Sequence, residues 1–289
     1  MNENIKVFNN PNEYLSFYGI NTGLSFYYQK ERLEEKTCIH IFEPASSTEK
    51  TVLLIHGYFD HTGSFKHVIN HFLACGYRVI GYDLEGHGLS AGKRGEIQSF
   101  NDYVQAFRGV LSFCKQKDYY PNIVIAHSTG AAICTQYLLQ YRDNFEKVIY
   151  LAPLVRAANW YYVVASSKVV PKFKQELTRK FAENSGDQSY LEFAKKDPLQ
   201  CRNISVPWVL AMIEWNKKVE ELPPSTQDIY IIQGTNDKTV DWKYNCETLR
   251  RKFPFAQIAL VTDGRHQIMN EEPIIKNLII HLIEKYRLQ

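Results

Sequence analysis

Five consecutive residues, Ala126-His127-Ser128-Thr129-Gly130, set a serine between a continuous apolar run, Asn122 to Ser128, and a helical pattern that starts at Thr129. A serine on a sharp strand-to-helix turn projects its hydroxyl clear of the sheet, where a base and a substrate can both reach it. Residues around such a turn must be small because strand and helix approach closely. Ala126, Gly130, Ala131 and Ala132 meet that need, although alanine at the first position departs from the usual Gly-x-Ser-x-Gly. A serine that only caps a helix would look similar locally, so the rest of the chain must decide.

A serine hydroxyl is a poor nucleophile until a base takes its proton, and that base needs a third group to fix its tautomer. On strand-turn-helix serines the chain order is serine, acid, histidine. Two histidines follow Ser128, namely His266 and His281. His281 falls inside a periodic C-terminal helix, whereas His266 follows the strand-like QIALVTD in the polar loop Asp263-Gly264-Arg265-His266. Loops at the carboxyl ends of parallel strands are where ligands gather, which favours His266 as the base. For the acid, Asp237 sits in the turn Gly234-Thr235-Asn236-Asp237 after DIYIIQG. Asp241 reads as a helix cap, and Asp263 ends the strand just before the histidine itself. The expectation is therefore Ser128, Asp237 and His266. An oxyanion would be held by backbone N–H groups, one from Thr129 and one from the loop His56-Gly57-Tyr58-Phe59, assigned to Tyr58.

The elements that must position these groups follow from periodicity. Leu24 to Lys30 and Thr37 to Phe42 alternate as antiparallel strands do. From Thr51 the pattern changes to short runs apolar throughout, TVLLIHG, RVIGYD, NIVIAHS and KVIYLAPL, as expected of strands buried on both faces. Helical patterns separate them over Ser64 to Cys75, Ser99 to Cys114 and Thr129 to Tyr141. This order predicts an α/β fold with a mostly parallel central sheet flanked by helices. The rhythm breaks over residues 155–225 and resumes at Asp228. The division expected is a core of residues 1–154 and 226–289, with 155–225 an inserted helical cap. Three of the four tryptophans, Trp160, Trp208 and Trp215, fall in that cap beside Tyr161, Tyr162, Phe181 and Phe193. They would either form its own small core or line an apolar channel or lipid-facing surface. His127, Trp160 and Tyr161 are the substrate-contact candidates.

Other patterns carry less chemistry. His67 and His71 stand one helical turn apart and no third metal ligand is apparent, so they read as solvent-facing. Asp83-Leu84-Glu85-Gly86-His87-Gly88 lacks dinucleotide spacing and reads as a structural loop. Lysine and arginine exceed aspartate and glutamate by only 34 to 31, which argues against nucleic acid as a partner. Six scattered cysteines without CxxC spacing read as reduced thiols. No apolar run reaches the ~20 residues of a membrane span, and MNENIKVFNNPNEYL lacks a signal-peptide core. The expectation is a cytoplasmic protein whose aromatic cap could rest transiently on a membrane surface.

With these residues in view, the chain resembles the monoglyceride lipase and bacterial lysophospholipase group of α/β-hydrolases. The resemblance runs through HG-x-x after the first parallel strand, YDLEGHGLS with GKRGEIQSFNDYV, AHSTG, GTNDKTVD and GRHQIMNE, all in order. Thr129 stands where that group usually has methionine, which changes the wall beside the serine. The resemblance implies the α/β-hydrolase fold and hydrolysis of an ester in a lipid with one acyl chain, a monoacylglycerol or a lysophospholipid. It implies no metal or organic cofactor. Two competing expectations use the same fold. A peptidase of the proline-iminopeptidase type would hold a free amino terminus on cap acids such as Glu214, Glu220 and Glu221. A non-catalytic binding protein would keep the pocket without turnover.

Overall fold

The computed structural model describes residues 8, 10–21, 23, 25–141, 143, 145–179 and 182–288. Leu24, Phe181 and most of the first nine residues lie outside the described residues. A short helix, α1 (Pro11–Tyr18), precedes the sheet; Asn10 caps it and Gly19 ends it in the left-handed conformation. The strands β1 (Phe26–Leu33) and β2 (Thr37–Pro44) form an antiparallel hairpin. Then β3 (Thr51–Ile55), α2 (Lys66–Ala74), β4 (Arg78–Tyr82), α3 (Phe100–Gln116), β5 (Ile123–His127), α4 (Thr129–Tyr141) and β6 (Lys147–Leu151) alternate. A 3-10 turn over Thr62–Phe65 delays α2 by two residues from its expected start.

After β6 the chain leaves the sheet through α5 (Trp160–Ser166), β7 (Glu176–Thr178), α6 (Gln188–Lys196), β8 (Asn203–Ser205) and α7 (Val206–Glu221). The inserted segment is thus not purely helical, because β7 and β8 pair antiparallel as a separate two-stranded sheet. Strands of three residues carry too little periodicity to be seen in the sequence. The chain returns as β9 (Tyr230–Gly234), α8 (Trp242–Lys252), β10 (Gln257–Val261) and α9 (Pro273–Leu288).

The main sheet has the order β1-β2-β4-β3-β5-β6-β9-β10 and is parallel from β4 to β10. Every residue of β3, β4, β5 and β9 is buried, which explains their unbroken apolar runs. Alternation survives beneath that uniform burial. Leu53, Ile55, Val124 and Ala126 pack with α3, α4 and α7 on one face; Val52, Leu54, Ile123 and Ile125 pack with α1, α2 and α9 on the other. Each fully buried aliphatic or phenylalanine side chain contributes about 1.5–3 kcal/mol, so two such layers hold the sheet in one register. That register brings the carboxyl ends of β3, β5, β9 and β10 to one edge, where the loops carrying Tyr58, Ser128, Asp237 and His266 emerge.

Candidate active site

Ser128 follows β5 with φ of 51°, a left-handed conformation costly for a residue with a Cβ. The strain is held from both sides. Its N–H donates to the Leu151 carbonyl at 3.1 Å, and its carbonyl accepts from Ala132 and Leu154, each at 3.2 Å. Small neighbours are obligatory here: a Cβ on Gly130 would lie 2.2 Å from the Ile55 carbonyl oxygen. On the opposite wall, a Cβ on Gly57 would come within 3.2 Å of the Ser128 Cβ, so the loop bearing Tyr58 runs directly beside the serine.

The Ser128 hydroxyl lies 3.0 Å from His266 Nε2, and His266 Nδ1 lies 2.8 Å from Asp237 Oδ2. All three residues are buried. With the carboxylate ionised, Nδ1–H is the donor to Asp237 and Nε2 is left to accept from the serine. Asp237 is itself fixed: Oδ1 accepts from the backbone N–H of Thr239 (2.8 Å) and Val240 (3.2 Å), and Oδ2 also accepts from Gln233 Nε2 (3.2 Å). Burial alone would raise the pKa of this carboxyl. The facing His266, its hydrogen bond and the two backbone donors outweigh burial and hold the pKa below the ordinary value. The loops carrying the acid and the histidine touch through glycine. A Cβ on Gly234 would sit 2.1 Å from the Gly264 carbonyl oxygen, which accepts from Asn236 N–H at 2.9 Å.

Thr129 opens α4, so its N–H has no acceptor within the helix. Tyr58 is buried, and its side chain ties three segments together. The hydroxyl donates to the Gly95 carbonyl (2.7 Å) and accepts from Ser205 N–H (2.9 Å) at the start of α7. Its ring stacks on Trp208 with centroids 3.8 Å apart. His56 anchors the same loop: Nε2 accepts from Leu84 N–H at 2.8 Å while Nδ1–H donates to the Gly57 carbonyl at 2.7 Å.

The other sequence candidates separate. His127 is buried beside His266, with ring centroids 5.0 Å apart, and its Nε2–H donates to the His266 carbonyl at 3.0 Å. Burial and the neighbouring His266 lower its pKa to about 4, so the ring is neutral at neutral pH. Trp160 packs into the main core under Arg156. Tyr161 is 85% exposed on α5. Trp208 and Trp215 pack against Phe100 of α3. Asp241 caps α8 by accepting from Tyr244 N–H, and Asp263 and His281 are exposed. The Asp83 loop is structural: the carboxylate accepts from Thr62 N–H, the Thr62 hydroxyl, Leu89 N–H and His40.

Sequence reasoning missed Asp60. It lies buried after β3 and accepts from Gln200 Nε2 (2.9 Å) of the inserted segment and Gln267 Nε2 (2.8 Å) beside His266. Its Oδ2 lies 3.7 Å from His127 Nδ1, and its two hydrogen bonds tie the loop after β3 to the inserted segment and to the loop beside His266.

A model of the Hydrolase_4 family, described as serine aminopeptidase, S33, matches residues 46–273, well over half of the chain. The chain belongs to this hydrolase family. The chain is 31% identical over 135 residues to a monoacylglycerol lipase of Mycolicibacterium smegmatis, covering 46% of this chain and 48% of that protein. It is 21% identical over 274 residues to a probable lysophospholipase L2 of Haemophilus influenzae, covering 86% of each. A soluble variant of monoglyceride lipase from Saccharomyces cerevisiae, solved in complex with a substrate analog, superposes with a TM-score of 0.75 at 19% identity. That match covers 92% of this chain and 96% of the yeast chain and shows the α/β-hydrolase fold. Among the described residues, no helix is long and apolar enough to cross a membrane.

Proposed function

We propose that this hydrolase cleaves carboxylic esters of lipids carrying one acyl chain, monoacylglycerols or lysophospholipids, through an acyl-enzyme on Ser128. The observation that carries the reading is the unbroken hydrogen-bonded row from Ser128 through His266 to Asp237. Ser128 Oγ attacks the ester carbonyl carbon as its proton passes to His266 Nε2, and Asp237 stabilises the imidazolium. The N–H groups of Tyr58 and Thr129 receive the negative charge on the carbonyl oxygen. Collapse of the tetrahedral species expels the alcohol, which takes the proton from His266. Water then repeats the attack on the acyl-enzyme and frees the acid and the serine. Buried, preorganised donors serve this chemistry because they need no reorganisation when charge develops.

Residues 155–225 act in this reading as the cap over the acyl chain. Tyr161, Tyr162, Val169 and Phe173 are exposed, with the exposed Lys168, Lys172 and Lys174 among them. An apolar face edged with lysines suits transient contact with the lipid surface that supplies such substrates. The family's description favours an aminopeptidase as the second reading, but two of the three cap acids named for it are otherwise engaged. Glu214 pairs with Lys217 at the surface, and Glu220 pairs with Arg251 and Tyr244.

The test is fluorophosphonate labelling with mass spectrometry, followed by turnover of a lysophospholipid, a monoacylglycerol and an amino-acyl arylamide. The expected result is an adduct on Ser128, ester turnover, no arylamide turnover, and a loss of at least about 10⁴-fold in Ser128→Ala. Folded protein that takes no adduct, or a Ser128→Ala variant that keeps its activity, would overturn the assignment.

A further inference from the structure

We propose that His71, Cys75 and Glu284 form a surface site for a divalent transition-metal ion, with zinc the ion that suits its donors. In the sequence His71 pairs with His67 one turn earlier and finds no third ligand. The fold rearranges that pairing. His67 is half-buried near Lys66 and Lys276, whose charges repel a cation. His71 lies one turn further along the same face of α2, beside Cys75 one turn on and Glu284 of α9. His71 Nε2 lies 2.7 Å from Glu284 Oε1 and 3.7 Å from Cys75 Sγ, and all three donor atoms are within 4.8 Å of one another.

Zinc bonds of about 2.0–2.3 Å place tetrahedral donors roughly 3.3–3.7 Å apart. The imidazole and the thiol already stand at that spacing, and the carboxylate oxygen must withdraw about 0.6 Å from the imidazole to admit an ion between them. Cys75 ends α2, where the unpaired carbonyls carry the negative end of the helix dipole and favour a cation. It is also the exposed cysteine; the other five are buried. The fourth coordination position therefore opens to water.

The thiolate offsets part of the charge of a divalent ion, the Glu284 carboxylate shares its charge between the ion and Arg287, and the soft sulfur and imidazole select zinc over magnesium or calcium. Binding releases the thiol proton, and the imidazole proton where present, to solvent, so affinity rises with pH. Arg287 already contacts Glu284: its Nε donates to Oε1 at 2.9 Å and its terminal nitrogen pairs with Oε2. The metal takes Oε1, and the arginine, braced by the Tyr77 hydroxyl at 3.2 Å, stays on Oε2 and orients the ligand. Among the described residues, a second donor cluster, Cys38, His40 and Asp83, is fully buried, and its carboxylate is saturated with hydrogen bonds, so it offers no comparable entry. An occupied site would join α2 to α9 and stabilise the face that they cover by mass action.

The experiment uses the full chain. Zinc affinity is read by competition with a chromogenic chelator, and occupancy by the rate of Cys75 alkylation, located by mass spectrometry. One equivalent of zinc should bind at micromolar affinity and slow alkylation of Cys75 about tenfold or more, and excess chelator should restore the rate. His71→Gln and Glu284→Gln should each weaken binding by about tenfold or more. Cadmium should give a thiolate charge-transfer band that Cys75→Ser abolishes. Alkylation unaffected by stoichiometric zinc would overturn the site. So would an affinity retained in all three variants, which would put the metal elsewhere, for example on His266.

Discussion

Replacing Asp237 by asparagine keeps shape and removes charge, and the hydrogen bonds around it dictate the outcome. The wild-type carboxylate accepts four hydrogen bonds, from Thr239 N–H, Val240 N–H, His266 Nδ1 and Gln233 Nε2. An amide has one oxygen to offer. Turning its NH₂ toward the two backbone donors leaves both buried and unpaired, at about 1–3 kcal/mol each. Keeping the oxygen there costs less, because Gln233 retains the Gly234 carbonyl as acceptor. The NH₂ then faces His266 Nδ1 and donates to it, which forces the ring proton onto Nε2. In that tautomer Nε2 points a hydrogen at Ser128 and cannot take the hydroxyl proton. The expected result is a fall in kcat of about 10⁴-fold, or ~5.4 kcal/mol of activation free energy, with KM little changed. The assay is steady-state turnover of a medium-chain ester, with the fluorophosphonate labelling rate and thermal unfolding measured alongside. A folded Asp237→Asn enzyme with kcat within about tenfold of wild type would refute the tautomer argument and with it the role given to Asp237. The depressed carboxyl pKa adds a second signature. Its stabilisation is present above the ordinary aspartate value of about 3.9 and is lost as pH falls through the folded value, so the stability gap between the two proteins should narrow in acid.

Two further perturbations test the supports of the site. Tyr58→Phe keeps the ring on Trp208 but strands the Gly95 carbonyl and Ser205 N–H, so urea denaturation should show a loss of about 2–4 kcal/mol. Its kcat should fall more than its KM changes; an unaltered kcat would mean that the hydroxyl does not hold the oxyanion loop. Asp83→Asn breaks a buried pair with His40 and should cost about 3–5 kcal/mol. Burial opposes both charges, yet Tyr28 and Asp83 raise the His40 pKa and His40 lowers that of Asp83. The Asp83 contribution is lost as pH falls below about 4 and through the folded value, and that of His40 as pH rises from about 6.5 through its own. The penalty should therefore peak between those limits in pH-dependent denaturation; a flat penalty across acid and alkali would exclude the ionised pair.

Much of the fold and site is legible in the sequence because the signals are local. Runs such as TVLLI and IVIAH declare strands buried on both faces, and the short segments AHSTG, GTND and DGRH place their reactive groups just past strand ends. The helix α1 carries signals that are easily passed over, with Asn10 before Pro11 and Gly19 after Tyr18. Asp60 is illegible for a different reason. Its partners Gln200 and Gln267 lie 140 and 207 positions away, and nothing near Asp60 announces that they will meet. The same holds for His71, whose sequence neighbour His67 is the wrong partner and whose real one, Glu284, is 213 positions distant. Which rings of the aromatic segment turn inward is not legible either: Trp160 is buried in the core and Tyr161 stands exposed beside it, and composition alone does not separate them.

The helix α7 bears on how a substrate enters. It begins on the loop after β3, where Ser205 and Trp208 grip Tyr58, and runs about 24 Å along the core. Trp215 beds on Phe100, Asn216 donates to the Val155 carbonyl, and Lys252 donates to the Glu220 and Leu222 carbonyls at the far end. A rod pinned at its head, middle and tail is a splint, and it cannot swing as a door. Any opening of residues 155–225 that leaves α7 in place falls ahead of Ser205, so it involves less than the whole insertion. The splint itself keeps the loop carrying Tyr58 braced against the core.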